Sequence, residues 1–142
     1  MSIVYTEITL KNEADIILAI QGYIKEHEVR QMTVETIVDT GAWTLIINEE
    51  TRKKLGLLDQ GMGEATLADG QKGEYPMAGP LEIWWKNRNL VCNALVLPDA
   101  SPTFQVGADI LLGAWILEGL DLTINPKREL VGVHGDIVMH RV

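Results

Sequence analysis

The sequence predicts a mainly β domain with one definite α-helix and one short helix towards the C-terminal end. Three observations predict it: β-branched stretches that partly alternate apolar and polar residues, turn signals between them, and one segment with complete helix-capping signals. The chain has 142 residues, of which 46% are apolar and 23% charged, as is typical of a globular protein with a hydrophobic core. We therefore expect residues 1–142 to form a single domain.

The first third of the chain is predicted to supply several strands. Residues 1–10 alternate roughly between apolar and polar side chains, which predicts a half-buried strand. Residues 15–24 and 29–38 are β-branched and partly alternating, so both are predicted as strands, with a turn at residues 25–28 between them. After a loop that begins at residue 39, residues 44–47 are predicted to form a short strand.

Residues 48–57, "NEETRKKLGL", carry the clearest helix signals in the chain. Asn48 is a favourable N-cap, acidic residues fill the first turn and basic residues fill the last. Gly56 stands where a glycine commonly ends a helix. These signals predict an α-helix between Asn48 and Gly56.

The rest of the chain is predicted to contain mostly hairpins. Residues 64–75 form the first, because Asp69-Gly70 is a strong two-residue turn signal. The other predicted elements are a hairpin at 79–98, a buried strand at 109–113, a short helix at 114–120, a hairpin at 121–133 and a last strand at 135–142.

Composition argues against several classes of function. The net charge of −8 disfavours nucleic acid as a partner, because binding to phosphate requires lysine and arginine. Cys92 is the single cysteine and lies in an apolar run, so we expect a core residue and no catalytic thiol or intrachain disulfide. The three histidines are scattered, so we expect no zinc site. We found no signal segment and no apolar run long enough for a membrane span, and we expect a cytoplasmic protein without membrane association.

The stretch "TIVDTGAWTLII", residues 36–47, places one ionisable side chain, Asp39, between two apolar runs. Burying a lone carboxylate costs several kcal/mol unless other groups compensate it. Asp39 is therefore a candidate functional residue. The alternative is an unrelated β-barrel in which Asp39 is only a turn residue.

Three features in order carry a family resemblance: the apolar strand into Asp39-Thr40-Gly41-Ala42 followed by "TLII", the hairpin centred on "ADG", and "ILLG" followed by a short helix. Over about residues 29–131 the chain resembles the retropepsin-like aspartic proteases, in particular their small single-domain bacterial members. The resemblance implies a closed β-barrel of the acid-protease type. The chain departs from the family in carrying Asn125 where Asp is common, and Ala42 where some relatives carry serine.

The resemblance also implies how such a protein would act. Family members need two catalytic aspartates, and this chain has one Asp-Thr-Gly, so a catalytic form would be a homodimer that pairs Asp39 from each subunit. Thr40, Gly41 and Ala42 would support the loop. The hairpin would form a flap over a polypeptide substrate, and Gly113 would let its strand pass close to the loop. The flap and substrate-binding residues implied are Ala68, Asp69, Gly70 and Gly73.

The mechanism implied is aspartic peptide-bond hydrolysis, which requires no metal and no cofactor. Trp43, directly after the loop, would either belong to the core or narrow the substrate cleft. A catalytically inactive dimer of the same fold, which binds peptides or partner proteins, is the second hypothesis.

Overall fold

A computed structural model describes residues 3–66, 70–104 and 108–134 of the chain. This part contains nine strands, three α-helices and one 3-10 turn. In chain order they are β1 (Val4–Asn12), α1 (Glu13–Ile20), the 3-10 turn (Glu26–Glu28), β2 (Gln31–Val38), β3 (Leu45–Asn48), α2 (Glu49–Leu55), β4 (Leu58–Thr66), β5 (Lys72–Trp85), β6 (Arg88–Leu97), β7 (Leu111–Leu112), α3 (Ala114–Gly119), β8 (Leu122–Ile124) and β9 (Leu130–Gly132).

Six of the strands close into a barrel. Their order is β1-β2-β7-β3-β6-β5, and pairing between β1 and β5 completes the ring. The pairs β2–β7 and β3–β6 are parallel, and the other pairs of the ring are antiparallel. Strand β4 pairs with β5 on the outside of the ring, and β8 and β9 form a separate hairpin. The predicted mainly β fold with a closed barrel is confirmed.

The short strands at the centre of the fold bury both of their faces. Val38, Ile47 and Leu112 belong to the main core of the barrel, whereas their preceding neighbours Ile37, Ile46 and Leu111 belong to a second apolar cluster. Successive side chains of a strand point to opposite faces, so each run supplies both clusters. This explains why the runs on either side of the loop, Ile37-Val38 and Leu45-Ile46-Ile47, are continuously apolar. The second cluster comprises Ile37, Ile46, Ala65, Leu95, Leu97, Ala108 and Leu111.

Helix α2 forms as its capping signals predict. The side chain of Asn48 accepts a hydrogen bond from the Thr51 N–H at 2.9 Å. Gly56 ends the helix in the left-handed conformation with φ 63°, which glycine adopts without steric cost. A Cβ at Gly56 would also collide with the guanidinium of Arg30.

The prediction of a strand at residues 15–24 was wrong, because helix α1 occupies Glu13–Ile20. Asn12 accepts a hydrogen bond from the Asp15 N–H at 2.9 Å and caps the helix. The carboxylate of Asp15 then binds Arg30, just before β2, through the Arg30 main-chain N–H and its side chain. The predicted turn at residues 25–28 contains the 3-10 turn. A short apolar run fits a strand and a helix equally well, and here the cap decides for the helix.

The C-terminal elements agree with their predictions where the structure describes them. The hairpin 79–98 is formed by β5 and β6, which turn at residues 86–87. The short strand β7, helix α3 and the hairpin β8–β9 follow in the predicted order. The predicted last strand, 135–142, lies outside the described residues. Within the described part, no helix is long and apolar enough to cross a membrane.

Candidate active site

Asp39 follows the last residue of β2 and opens the loop 39–44, which we call the aspartate loop. Its N–H donates to the Leu112 carbonyl at 2.9 Å, which continues the pairing of β2 with β7. Its Oδ1 accepts the Gly41 N–H at 2.9 Å, and its main-chain carbonyl accepts the Ala42 N–H. The main chain of the aspartate loop therefore orients the half-buried carboxylate through its Oδ1.

The junction of β7 and α3 holds the other side of the aspartate loop. The Ala114 N–H donates to the Ala42 carbonyl at 2.8 Å, and the Trp115 N–H donates to the Trp43 carbonyl at 3.0 Å. A Cβ on Gly113 would lie 2.3 Å from the Thr44 carbonyl oxygen, which is far inside van der Waals contact. The predicted close approach at Gly113 is confirmed. Gly41 is less constrained, since its Cβ would lie 3.2 Å from the Asp39 carboxylate.

An open cleft of about 1270 Å³ runs in front of the aspartate loop. One side is formed by residues 37–43, and the facing side is formed by strands β4 and β5. All four predicted loop residues, 39–42, line this cleft, and so does Gly73. Its residues from β4 and β5 are Glu64, Ala65, Thr66, Lys72, Gly73 and Glu74.

The hairpin above the cleft extends beyond the barrel. We call residues 62–66 of β4 and 72–76 of β5 the outer hairpin; the pairing includes Ala65 with Gly73 and, last, Thr66 with Lys72. Gly70 has φ 84°, which agrees with the positive φ that the turn signal predicts. Ala68 and Asp69, the other two predicted flap residues, lie outside the described residues.

Trp43 connects the aspartate loop to the outer hairpin. Its indole Nε1–H donates to the main-chain oxygen of Glu64 in β4 at 3.0 Å. Its ring meets the ring of Trp115 edge to face, with centroids 5.0 Å apart. Trp43 is half-buried and lines the cleft. That it narrows a substrate cleft stays a prediction. The contact with Glu64 had no signal in the sequence, because it joins two segments through tertiary structure alone.

Charged side chains of both signs surround the cleft. Glu64 and Glu74 are exposed and directly opposite each other on the outer hairpin, an arrangement that repels. Lys72 and Arg128 also line the cleft. Within residues 3–66, 70–104 and 108–134, no three His, Cys, Asp or Glu side chains lie close enough to hold a metal ion.

The thiol of Cys92 does not contribute to this site. Cys92 lies in β6, and it packs against the main core. Burial raises the pKa of its thiol to about 12, so the reactive thiolate is scarce at neutral pH. The prediction of a structural cysteine is confirmed.

Comparison with known proteins supports the fold through structure alone. No family model matches the chain, and no curated protein matches it. The crystal structure of the retroviral protease-like domain of Ddi1 from Leishmania major superposes with a TM-score of 0.55 at 18% sequence identity, over 94% of this chain and 90% of that chain. The chain has a retropepsin-like fold. At this identity the likeness establishes the architecture, and the activity has to be argued from the site.

Proposed function

We propose that the protein is an aspartic endopeptidase that acts as a homodimer, with Asp39 of each subunit as the catalytic pair. The observation that carries this proposal is the position of Asp39. Asp39 lines an open cleft that is also lined by residues 64–66 and 72–74 of the outer hairpin, and its carboxylate accepts the Gly41 N–H at 2.9 Å.

Each chain supplies one of the two catalytic carboxylates that the proposed mechanism needs. Asp39-Thr40-Gly41 occurs once in the sequence, so a second carboxylate must come from a second copy. A two-fold axis beside the exposed Thr40 and Gly41 would bring the two aspartate loops together in an isologous interface. Two carboxyl groups at such short range share one proton, as the aspartic-protease dyad does in general.

The proposed reaction is general acid–base hydrolysis. A water molecule between the two Asp39 side chains gives a proton to the ionised carboxylate and attacks the scissile carbonyl carbon. The protonated carboxyl donates its proton to the carbonyl oxygen. Transfer of a proton to the amide nitrogen then releases the amine product, and no covalent enzyme intermediate forms.

The substrate class follows from the shape of the cleft. Among the described residues β4 pairs with β5 alone and is an edge strand, and its residues Glu64 and Thr66 line the cleft. An edge strand binds an extended polypeptide by adding it to the sheet. The outer hairpin would then act as the flap that closes over the added peptide.

The test compares Asp39→Asn with Asp59→Asn. Asp59 provides a matched control, because its Oδ1 accepts the Gly61 N–H at 2.9 Å just as Asp39 accepts that of Gly41, yet it is exposed on β4. Digestion of an unfolded protein substrate would be followed by mass spectrometry, and dimerisation by analytical ultracentrifugation. We expect Asp39→Asn to lose at least about 10³-fold in activity as a dimer, and Asp59→Asn to keep it.

Two outcomes would contradict the proposal. Undiminished cleavage by the Asp39→Asn variant would remove Asp39 from the mechanism. A wild-type dimer that binds peptides without cleaving them would support the second hypothesis, a binding module of the same fold.

A further inference from the structure

We propose that Trp43 is a positioning residue that holds the outer hairpin in place above the aspartate loop. The hydrogen bond from the Trp43 indole to the Glu64 main chain carries this inference. The expected effect of Trp43 on the kinetics of peptide cleavage rests on the proposed function. Its expected effect on the mobility of the outer hairpin does not.

The outer hairpin needs an external attachment. In the described residues, 62–66 and 72–76 pair only with each other, since β5 meets β6 from Met77 onward and β1 from Leu81 onward. An isolated pair of strands is at best marginally stable in water. Ala65 and Tyr75 pack on the second apolar cluster and fix one face of the hairpin, but apolar contacts do not fix its position along the cleft.

Trp43 is itself held firmly on the barrel side. Its carbonyl accepts the Trp115 N–H at 3.0 Å, and its ring rests edge to face on the ring of Trp115. Because the indole has a single rigid N–H direction, the bond to Glu64 specifies where β4 lies relative to the aspartate loop. A directional bond at this point complements the non-directional packing of Ala65 and Tyr75.

The bond also links the two parts that must cooperate in catalysis. Trp43 stands four residues after Asp39, and Glu64 stands two residues before the end of β4 at Thr66. Moving the hairpin away from the cleft breaks the bond or displaces the loop that carries Asp39. Trp43 therefore sets the distance between the outer hairpin and the aspartate loop before a peptide binds. This distance determines the width of the cleft that the peptide enters.

Hydrogen exchange measured by mass spectrometry tests the structural consequence directly. Trp43→Phe keeps an aromatic ring and removes the N–H donor. We expect amide exchange in peptides from residues 58–66 and 72–79 to accelerate roughly two- to tenfold, the effect of losing one net hydrogen bond. Trp84→Phe is the matched control, because the half-buried Trp84 donates its indole N–H to Glu82 within the barrel wall. It should leave exchange in these peptides unchanged.

A second variant separates the hydrogen bond from the shape of the ring. Benzothienylalanine at position 43 replaces the indole N–H by sulfur and preserves the bicyclic ring, so it remains informative if Trp43→Phe folds poorly. Equal exchange in this variant and the wild type would overturn the inference.

Enzyme kinetics then test the catalytic consequence. A looser hairpin should raise KM by roughly two- to tenfold and change kcat by less than about twofold, because hairpin closure is needed for binding before the chemical step. Faster exchange without any proteolysis by the wild type would keep the inference and reject the proposed function. Faster exchange with unchanged KM would reject the catalytic consequence of the inference.

Discussion

Two Asp-X-Gly turns with the same local hydrogen bond lie in different surroundings. In both, the glycine N–H donates to the aspartate Oδ1 at 2.9 Å, at Asp39–Gly41 and at Asp59–Gly61. Asp59 lies exposed where the pairing of β4 with β5 shifts register, whereas Asp39 lies half-buried between the barrel and the cleft. The comparison shows that an Asp-X-Gly turn by itself does not form a candidate active site. The site comes from the strands that carry the aspartate into a cleft.

The largest expected effect on stability comes from replacing a glycine that packs against the aspartate loop, compared with a glycine in the exposed turn. Gly113→Ala should destabilise the protein by about 3 kcal/mol, because its Cβ would lie 2.3 Å from the Thr44 carbonyl oxygen. Gly61→Ala should cost only about 1 kcal/mol, since Gly61 has open space around it and the cost comes from φ 90°. Urea denaturation measures both values. Equal losses would show that the aspartate loop is no more tightly packed than the exposed turn.

Asp15 extends the comparison to an aspartate whose role is structural. Asp15 is buried, and its carboxylate receives two side-chain hydrogen bonds from Arg30, at 2.8 and 3.0 Å. The hydrogen bonds from the Arg30 side chain lower the pKa of Asp15 below its ordinary value of 3.8. We expect Asp15→Asn to destabilise the protein at neutral pH by about 1–2 kcal/mol, an amount that allows for the half-exposed guanidinium.

The pH dependence of this effect has a defined sign. Because the pKa is lower in the folded state, the ionised Asp15 contributes its stability above pH 3.8 and loses it as the pH falls through the folded-state pKa. The difference in unfolding free energy between wild type and Asp15→Asn should therefore shrink in acid, as urea titrations between pH 2 and 7 would show. A difference independent of pH would mean that the ion pair does not stabilise α1.

Sequence reasoning predicted the surroundings of Asp39 well because the determining signals are local. Helix α2 follows from its Asn48 cap and Gly56, and the strands around the loop follow from short apolar runs that bury both faces. The close approach at Gly113 was implied by the family resemblance, and it is confirmed, because a Cβ there would lie 2.3 Å from the Thr44 carbonyl oxygen.

The differences between the sequence predictions and the structure have two causes. Helix α1 has the apolar run of a strand, and only its Asn12 cap, with acidic residues behind it, distinguishes it as a helix. The closure of β1 onto β5 and the bond between Trp43 and Glu64 join distant segments and leave no local pattern. The sequence therefore locates Asp39, whereas the strands that form the cleft beside it are brought together only by the fold.

The most direct test of the central claim is a subunit-mixing experiment. Wild type and the Asp39→Asn variant would be unfolded together, refolded at varied ratios and assayed for peptide cleavage at fixed total protein. If each active site needs Asp39 from two subunits, activity follows the square of the wild-type fraction, so an equal mixture retains about one quarter. If each chain acts alone, an equal mixture retains about one half, and that result would contradict the paired-aspartate account.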